Sequence, residues 1–210
     1  MILPAPLRGL RPAVFLDKDG TLIDDVPYNV DPARVRLAAG AGEGTRALQA
    51  AGHALVVVTN QSGVARGLFA PAELAGVRAR IEELLGLRLD GFYGCPHHPE
   101  GRVAAYTGAC DCRKPRPGLL LRAARELGLD LARSWMVGDI LDDVEAGSRA
   151  GCRTALLQSG GETEWLAGPH RTPTIVAADL GDAARQILRE AAQRPRPAQP
   201  RGAGESEAPP

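Results

Sequence analysis

Short runs of apolar residues alternate along this chain with longer stretches in which apolar positions recur every three to four residues. Ala13 to Asp17 (AVFLD) is apolar almost throughout, the pattern of a strand covered on both faces. His53 to Thr59 (HALVVVT) repeats it with β-branched residues, and Leu89 to Gly94, Trp135 to Val137, Thr154 to Leu157 and Thr174 to Val176 are weaker versions. Between them the spacing predicts helices over Glu43 to Ala51, Pro71 to Leu85, Gly118 to Leu127, Asp143 to Ala150 and Asp179 to Ala192. Gly52, Gly86 and Gly128 stand just past three of these, where a left-handed residue stops a helix. Strands alternating with helices imply an α/β fold, a mostly parallel Rossmann-like sheet with helices on both faces.

In such a sheet ligands sit beyond the carboxyl ends of the strands. The first strand ends in Asp17-Lys18-Asp19-Gly20-Thr21 and the second in Thr59-Asn60-Gln61-Ser62-Gly63. Arg113-Lys114-Pro115 precedes a helix, and the fourth strand ends in Gly138-Asp139, with Asp142 and Asp143 following. Two carboxylates two residues apart repel unless a cation lies near them. Carboxylates suit magnesium, and lysine and hydroxyl groups neutralise phosphate oxygens, so the set points to phosphoryl transfer. A carboxylate nucleophile divides hydrolysis into two steps, and a second carboxyl serves the leaving alcohol and then water. Taken singly, an Asp-x-Asp is as often a turn or a cap, and Lys114 a surface charge. All four groups falling in order at strand ends argue for a site. Lys18 is expected to face solvent. Gly40, Gly42 and Gly44 lack the G-x-G-x-x-G spacing of a nucleotide loop and mark a helix start.

FLDKDGT, VVVTNQSG, CRKPRPG and MVGDILDD resemble the four motifs of the haloacid-dehalogenase-like phosphatases, over roughly Ala13 to Leu157. The resemblance implies that Asp17 is the nucleophile and Asp19 the general acid/base, with Thr59 and Lys114 on the transferring phosphoryl group. It implies magnesium held by Asp17, Asp139 and the backbone carbonyl of Asp19. CPHHPEG, CDCRKPRPG and TNQSGVARG are similar to the group of this family that cleaves the C7 phosphate of D-glycero-D-manno-heptose 1,7-bisphosphate, a lipopolysaccharide precursor. That likeness places substrate contacts at Asp25, Val26, Pro27 and Tyr28, at Thr59, Asn60, Gln61 and Ser62, and at Arg113 and Lys114. It also makes Ile140 a departure, since lysine is usual there. Histidinol-phosphate phosphatases share CRKP and a metal loop, and are the alternative within the family. A zinc-stabilised scaffold without catalysis is the alternative outside it.

Cys95-Pro96-His97 and Cys110-Asp111-Cys112 bracket an irregular stretch, unusual in a compact domain unless something pins it. Cys95, His97, Cys110 and Cys112 supply four soft ligands, enough for a closed, structural zinc site, although His98 could replace His97. Cys152 reads as a small core residue, and His53 and His170 show no evident partner in the sequence. Only about 18 residues separate Thr21 from Gly40, so the site is expected to be uncapped. The 25 basic and 25 acidic residues balance, which argues against nucleic-acid or anionic-membrane partners, and the resemblance implies a small sugar phosphate as the partner. No apolar run of about 18 residues suggests a membrane span. The expectation is a cytoplasmic monomer: one phosphatase domain over 1–192, its zinc loop at 95–112, and a Pro-, Gly- and Ala-rich disordered tail over 193–210.

Overall fold

The computed structural model describes residues 10–163 and 165–193, so the tail expected beyond Gln193 lies outside the described residues. The strands are β1 (Ala13–Leu16), β2 (Ala54–Asn60), β3 (Gly91–Cys95), β4 (Trp135–Gly138), β5 (Arg153–Leu157) and β6 (Ile175–Ala177). They form one six-stranded sheet in the order β3-β2-β1-β4-β5-β6, parallel throughout. Phe15 sits between Val56 on one side and Met136 on the other, which makes β1 a central strand.

The helices are α1 (Ala41–Ala50), α2 (Ser62–Ala65), α3 (Leu74–Leu85), α4 (Gly118–Leu127), α5 (Leu141–Ala150) and α6 (Leu180–Gln193). Successive strand residues point to opposite faces. Val14, Leu16, Leu55 and Val57 accordingly join Leu48, Ile81 and Ile187 from α1, α3 and α6 in one core layer. Ala13, Phe15, Val56 and Val58 join Leu120 and Ala123 of α4 and Ala146 of α5 in the other. Burial on both faces is why the strands read as continuous apolar runs.

Some details differ from the sequence reading. The helix expected from Pro71 begins as a short 3-10 turn at Pro71–Glu73, and the short α2 directly after β2 was not anticipated. The glycine-rich run around α1 is a packing device. A Cβ on Gly44 would lie 2.5 Å from the Leu180 carbonyl, so only glycine lets the start of α6 approach so closely. Between Gly20 and α1 the chain makes a loop with one 3-10 turn at Pro32–Arg34 and carries no inserted domain. The chain passes from β1 outward to β2 and β3, then returns to β4 on the opposite side of β1. This reversal opens a crevice at the carboxyl ends of β1 and β4, where a doubly wound sheet binds its ligand.

Candidate active site

Asp17 follows β1 directly, and its N–H donates to the Val137 carbonyl at 2.9 Å, tying the end of β1 to β4. Lys114 reaches it from the loop before α4. The buried Lys114 Nζ lies 2.5 Å from Asp17 Oδ1 and 2.6 Å from Asp143 Oδ1, and donates to the Val58 carbonyl at 3.1 Å. Burial works against that ammonium, but Asp143 and Asp17 outweigh it and hold its pKa above the usual lysine value. Asn60 fixes the lysine's backbone. Its amide donates to the Lys114 carbonyl at 3.1 Å and accepts from the Lys114 N–H at 3.0 Å.

Asp139 follows β4. Burial, and then the charge of Asp17, push its carboxyl up to about 6, while Thr21 Oγ donates to its Oδ1 at 3.2 Å. Asp143 sits one helical turn further on, fully buried, and burial raises its pKa as well, despite the lysine. Asp17, Asp139 and Asp143 bring carboxylate oxygens within 4.8 Å of one another. Oxygen donors of this kind suit a hard divalent cation.

Asp19 is turned toward a second set of groups. Its Oδ1 lies 2.5 Å from Lys18 Nζ, and its Oδ2 accepts from Gln61 Nε2 at 3.3 Å. Gln61 also donates to Thr59 Oγ at 2.8 Å, linking the ends of β1 and β2. Lys18 is therefore not a solvent-facing charge: only 1% of it is exposed, and its ammonium is held by Asp19. A four-carbon stem can be buried so close to the site because the carboxylate beside it compensates the charge. Burial raises the Asp19 pKa, and Lys18 pulls the other way.

Asp17, Lys18, Asp19, Gln61, Lys114 and Asp139 line a cavity of about 370 Å³, and Asp143 lies buried behind it. Of the residues expected to meet substrate, Asp25, Pro27, Tyr28, Thr59, Asn60, Gln61, Ser62, Arg113 and Lys114 all border it, whereas Val26 does not. Tyr28 takes a left-handed backbone (φ 55°), uncommon for a bulky residue, and stands half exposed at the rim. Arg113 Nη1 is buried without a hydrogen-bonding partner among the described residues. Asp143 is the residue of the site to which the sequence reading gave no role. Its signal was the four-residue spacing from Asp139, which puts both on one side of a helix start. Asp142 also borders the cavity and pairs with Arg171.

The Cys/His loop closes a second cluster. Cys95 Sγ lies 3.1 Å from Cys112 Sγ and 3.6 Å from Cys110 Sγ, and His97 Nδ1 lies 3.3 Å from Cys112 Sγ. A tetrahedron with bonds of about 2.3 Å has edges of about 3.8 Å, so the four atoms are spaced for one soft metal ion. Burial pushes the Cys95 thiol well up. Cys110 moves down, because hydrogen bonds from Cys112, the Arg113 backbone and Cys95 outweigh its burial. His98 is turned out of the cluster, its Nδ1 accepting from the Glu100 N–H at 3.1 Å. His170, without an evident partner in the sequence, lies 3.0 Å from Ser148 Oγ through Nδ1.

Comparison with known proteins gives this arrangement its relatives. Residues 111–183 match the family described as HAD-hydrolase-like. The D-glycero-β-D-manno-heptose-1,7-bisphosphate 7-phosphatase of Salmonella typhi is 40% identical over 187 residues, 88% of this chain and 93% of that protein. The chain belongs to this family of HAD-like phosphatases. The same enzyme from Escherichia coli K12 is 44% identical over 154 residues, 72% of this chain and 81% of its own. A solved structure of the family is similar in fold: D,D-heptose 1,7-bisphosphate phosphatase from B. bronchiseptica, complexed with magnesium and phosphate. It has a TM-score of 0.73 and 33% identity, covering 85% of this chain and 99% of that one. As a HAD-like phosphatase, the chain is a phosphoric monoester hydrolase, and its sheet with helices on both faces is the family's fold. Among the described residues no helix is long and apolar enough to cross a membrane.

Proposed function

We propose that this phosphatase removes the C7 phosphate of D-glycero-β-D-manno-heptose 1,7-bisphosphate through an aspartyl-phosphate on Asp17. The observation that carries the mechanism is the 2.5 Å contact between Lys114 and Asp17 at the floor of the cavity, with Thr59 and Asp19 on its walls. An Asp17 carboxylate oxygen attacks phosphorus as the bond to the sugar C7 oxygen breaks, and Asp19 gives that oxygen its proton. Asp19 then takes a proton from water, whose oxygen attacks the aspartyl-phosphate and restores the Asp17 carboxylate. Thr59 and the Lys114 ammonium hold the transferring oxygens as their charge shifts. Asp17, Asp139 and the Asp19 carbonyl would hold magnesium, whose chemistry is to neutralise the phosphate oxygens and align them. Cys95, His97, Cys110 and Cys112 would hold a structural zinc ion, fixing the loop that delivers Arg113 and Lys114.

The heptose substrate comes to this chain from its relatives' names, and the donors at the rim suit it. The half-buried Arg113 guanidinium, whose Nη1 has no partner among the described residues, fits a second phosphate. We read the chain as a cytoplasmic monomer, one domain over 1–192. Turnover of heptose 1,7-bisphosphate measured beside histidinol phosphate tests the reading. A kcat/KM at least tenfold higher for the bisphosphate is expected, and a preference for histidinol phosphate would overturn the substrate.

A further inference from the structure

The loop that follows β5, Ser159 to Glu162, is far from Asp139 in sequence and carries no motif. In the fold it lies against it. A Cβ added to Gly161 would fall 1.9 Å from Asp139 Oδ2, and one added to Gly20 would fall 2.2 Å from the same oxygen. Real Cβ atoms essentially never come so close, so the Asp139 carboxylate lies between two glycine α-carbons, one after β1 and one after β5. Thr21 holds its other oxygen. Between them these contacts block the carboxylate from turning about its own bond.

The loop is itself pinned. The Glu162 carboxylate accepts the backbone N–H of Leu141, the first residue of α5, at 2.6 Å. Ile140, which precedes that helix, has no side-chain oxygen to do so, and the loop satisfies the helix start from across the site. Further along, His170 meets Ser148, and Arg171 pairs with Asp142 and with Glu145, the last at 2.7 Å. The segment after β5 is thus fastened along α5, the helix that Asp139 leads into. Gly161 and Asp139 also form the wall between the substrate cavity and a neighbouring one of about 480 Å³. The residues lining that second cavity include Asp24, Asp25 and Asp179 but no basic side chain, so it does not suit phosphate.

The geometry points to Gly161 and Glu162 as positioning residues for the cation ligand Asp139. Gly161 lets the loop backbone press on the carboxylate, and Glu162 holds the loop in place. The inference rests on the proposed assignment of Asp139 to magnesium. It does not depend on which sugar phosphate is cleaved.

Magnesium binding to the full chain, measured by titration calorimetry without substrate, tests it beside thermal melting. Gly161→Ala is expected to weaken magnesium about tenfold or more, the scale on which groups supporting a metal ligand act. Glu162→Ala should weaken it in the same direction, and Glu162→Gln, which keeps an acceptor for Leu141, should restore it. If Gly161→Ala does not fold, the Glu162 pair decides. Native magnesium affinity in Gly161→Ala and Glu162→Ala, with loss in Asp139→Asn, would overturn the positioning role alone. Native affinity in Asp139→Asn would remove the ligand assignment and the inference together.

Discussion

At the scale of single residues the site is a balance of buried charge. Lys114 lies between Asp17 and Asp143, and removing Asp143 strips the buried ammonium of one of its two charged partners while Asp17 stays paired with it. Asp143→Ala should therefore cost about 1.5–3 kcal/mol of stability, the range for a lost hydrogen bond to a charged group, read from urea unfolding. A loss below 1 kcal/mol, roughly that of a surface pair, would contradict the burial argument. Asp17→Asn keeps the shape and removes the attacking charge, so kcat should fall by several orders of magnitude, on the order of other nucleophile deletions. Substantial turnover, with deamidation excluded by mass spectrometry, would sink the covalent mechanism. Asp139 gives a pH test. Its ordinary pKa of 3.8 rises to about 6 in the fold. Across that window the folded chain binds more protons than the unfolded one, so metal-free stability falls as pH rises from about 4 to 6. Magnesium must displace that proton, and its affinity, read by calorimetry, should strengthen over the same interval. An affinity flat between pH 4.5 and 7 would show that Asp139 is not the group the cation meets. Asp17, Asp19, Thr59, Lys114 and Asp139 could be singled out in the sequence because each ends a strand or opens a helix. The burial of Lys18 and the contact of Asp143 could not: Lys18 pairs with its neighbour Asp19 but is covered only by the folded chain, and Asp143 meets Lys114, which a distant loop delivers.

At the scale of elements, what the sequence disclosed follows the strength of the local signal. Helix α4 was legible to the residue, because Gly128 ends it in a left-handed turn after an apolar stripe. The start of α5 was placed two residues late, since Ile140 offers no capping side chain and the cap comes from Glu162 across the loop. The Cys/His loop is the element whose removal is most telling. It contains only the 3-10 turn Ala104–Tyr106 between Cys95 and Cys112, and it leads directly into Arg113 and Lys114. Cys112→Ser should lower both bound zinc, measured by atomic absorption, and the melting temperature. Stripping zinc with a chelator should lower kcat even with magnesium saturating, because the loop sets the approach of Lys114. Protein purified without chelator that contains no zinc would contradict the soft-metal assignment.

At the scale of the molecule, the fold class was legible from alternating strand and helix patterns, whereas the strand order was not, because periodicity does not say which strands are neighbours. The order decides that the ends of β1 and β4 face one crevice, with Arg113 at its rim. If Arg113 grips a second phosphate, Arg113→Ala should cost roughly 1.5–3 kcal/mol in transition-state binding for the bisphosphate, the scale of a charge-assisted hydrogen bond. A small monophosphate should lose far less. Equal penalties on the two substrates, compared as kcat/KM, would remove Arg113 from that role.

The central place of β1 also bears on how the chain comes off the ribosome. β1 is made before the other five strands, yet its neighbour on one side, β4, begins only at Trp135. Until then β1, β2 and β3 can pair in order, while β1 keeps a bare edge and Phe15 has no Met136 beside it. A nascent chain halted near Gly128 would present an unpaired, wholly apolar strand, the kind of edge that recruits other chains. Synthesis of β4 closes that edge and, in the same step, brings Asp139 to Asp17. The end of the aggregation hazard and the completion of the carboxylate site are thus one event in the life of the chain.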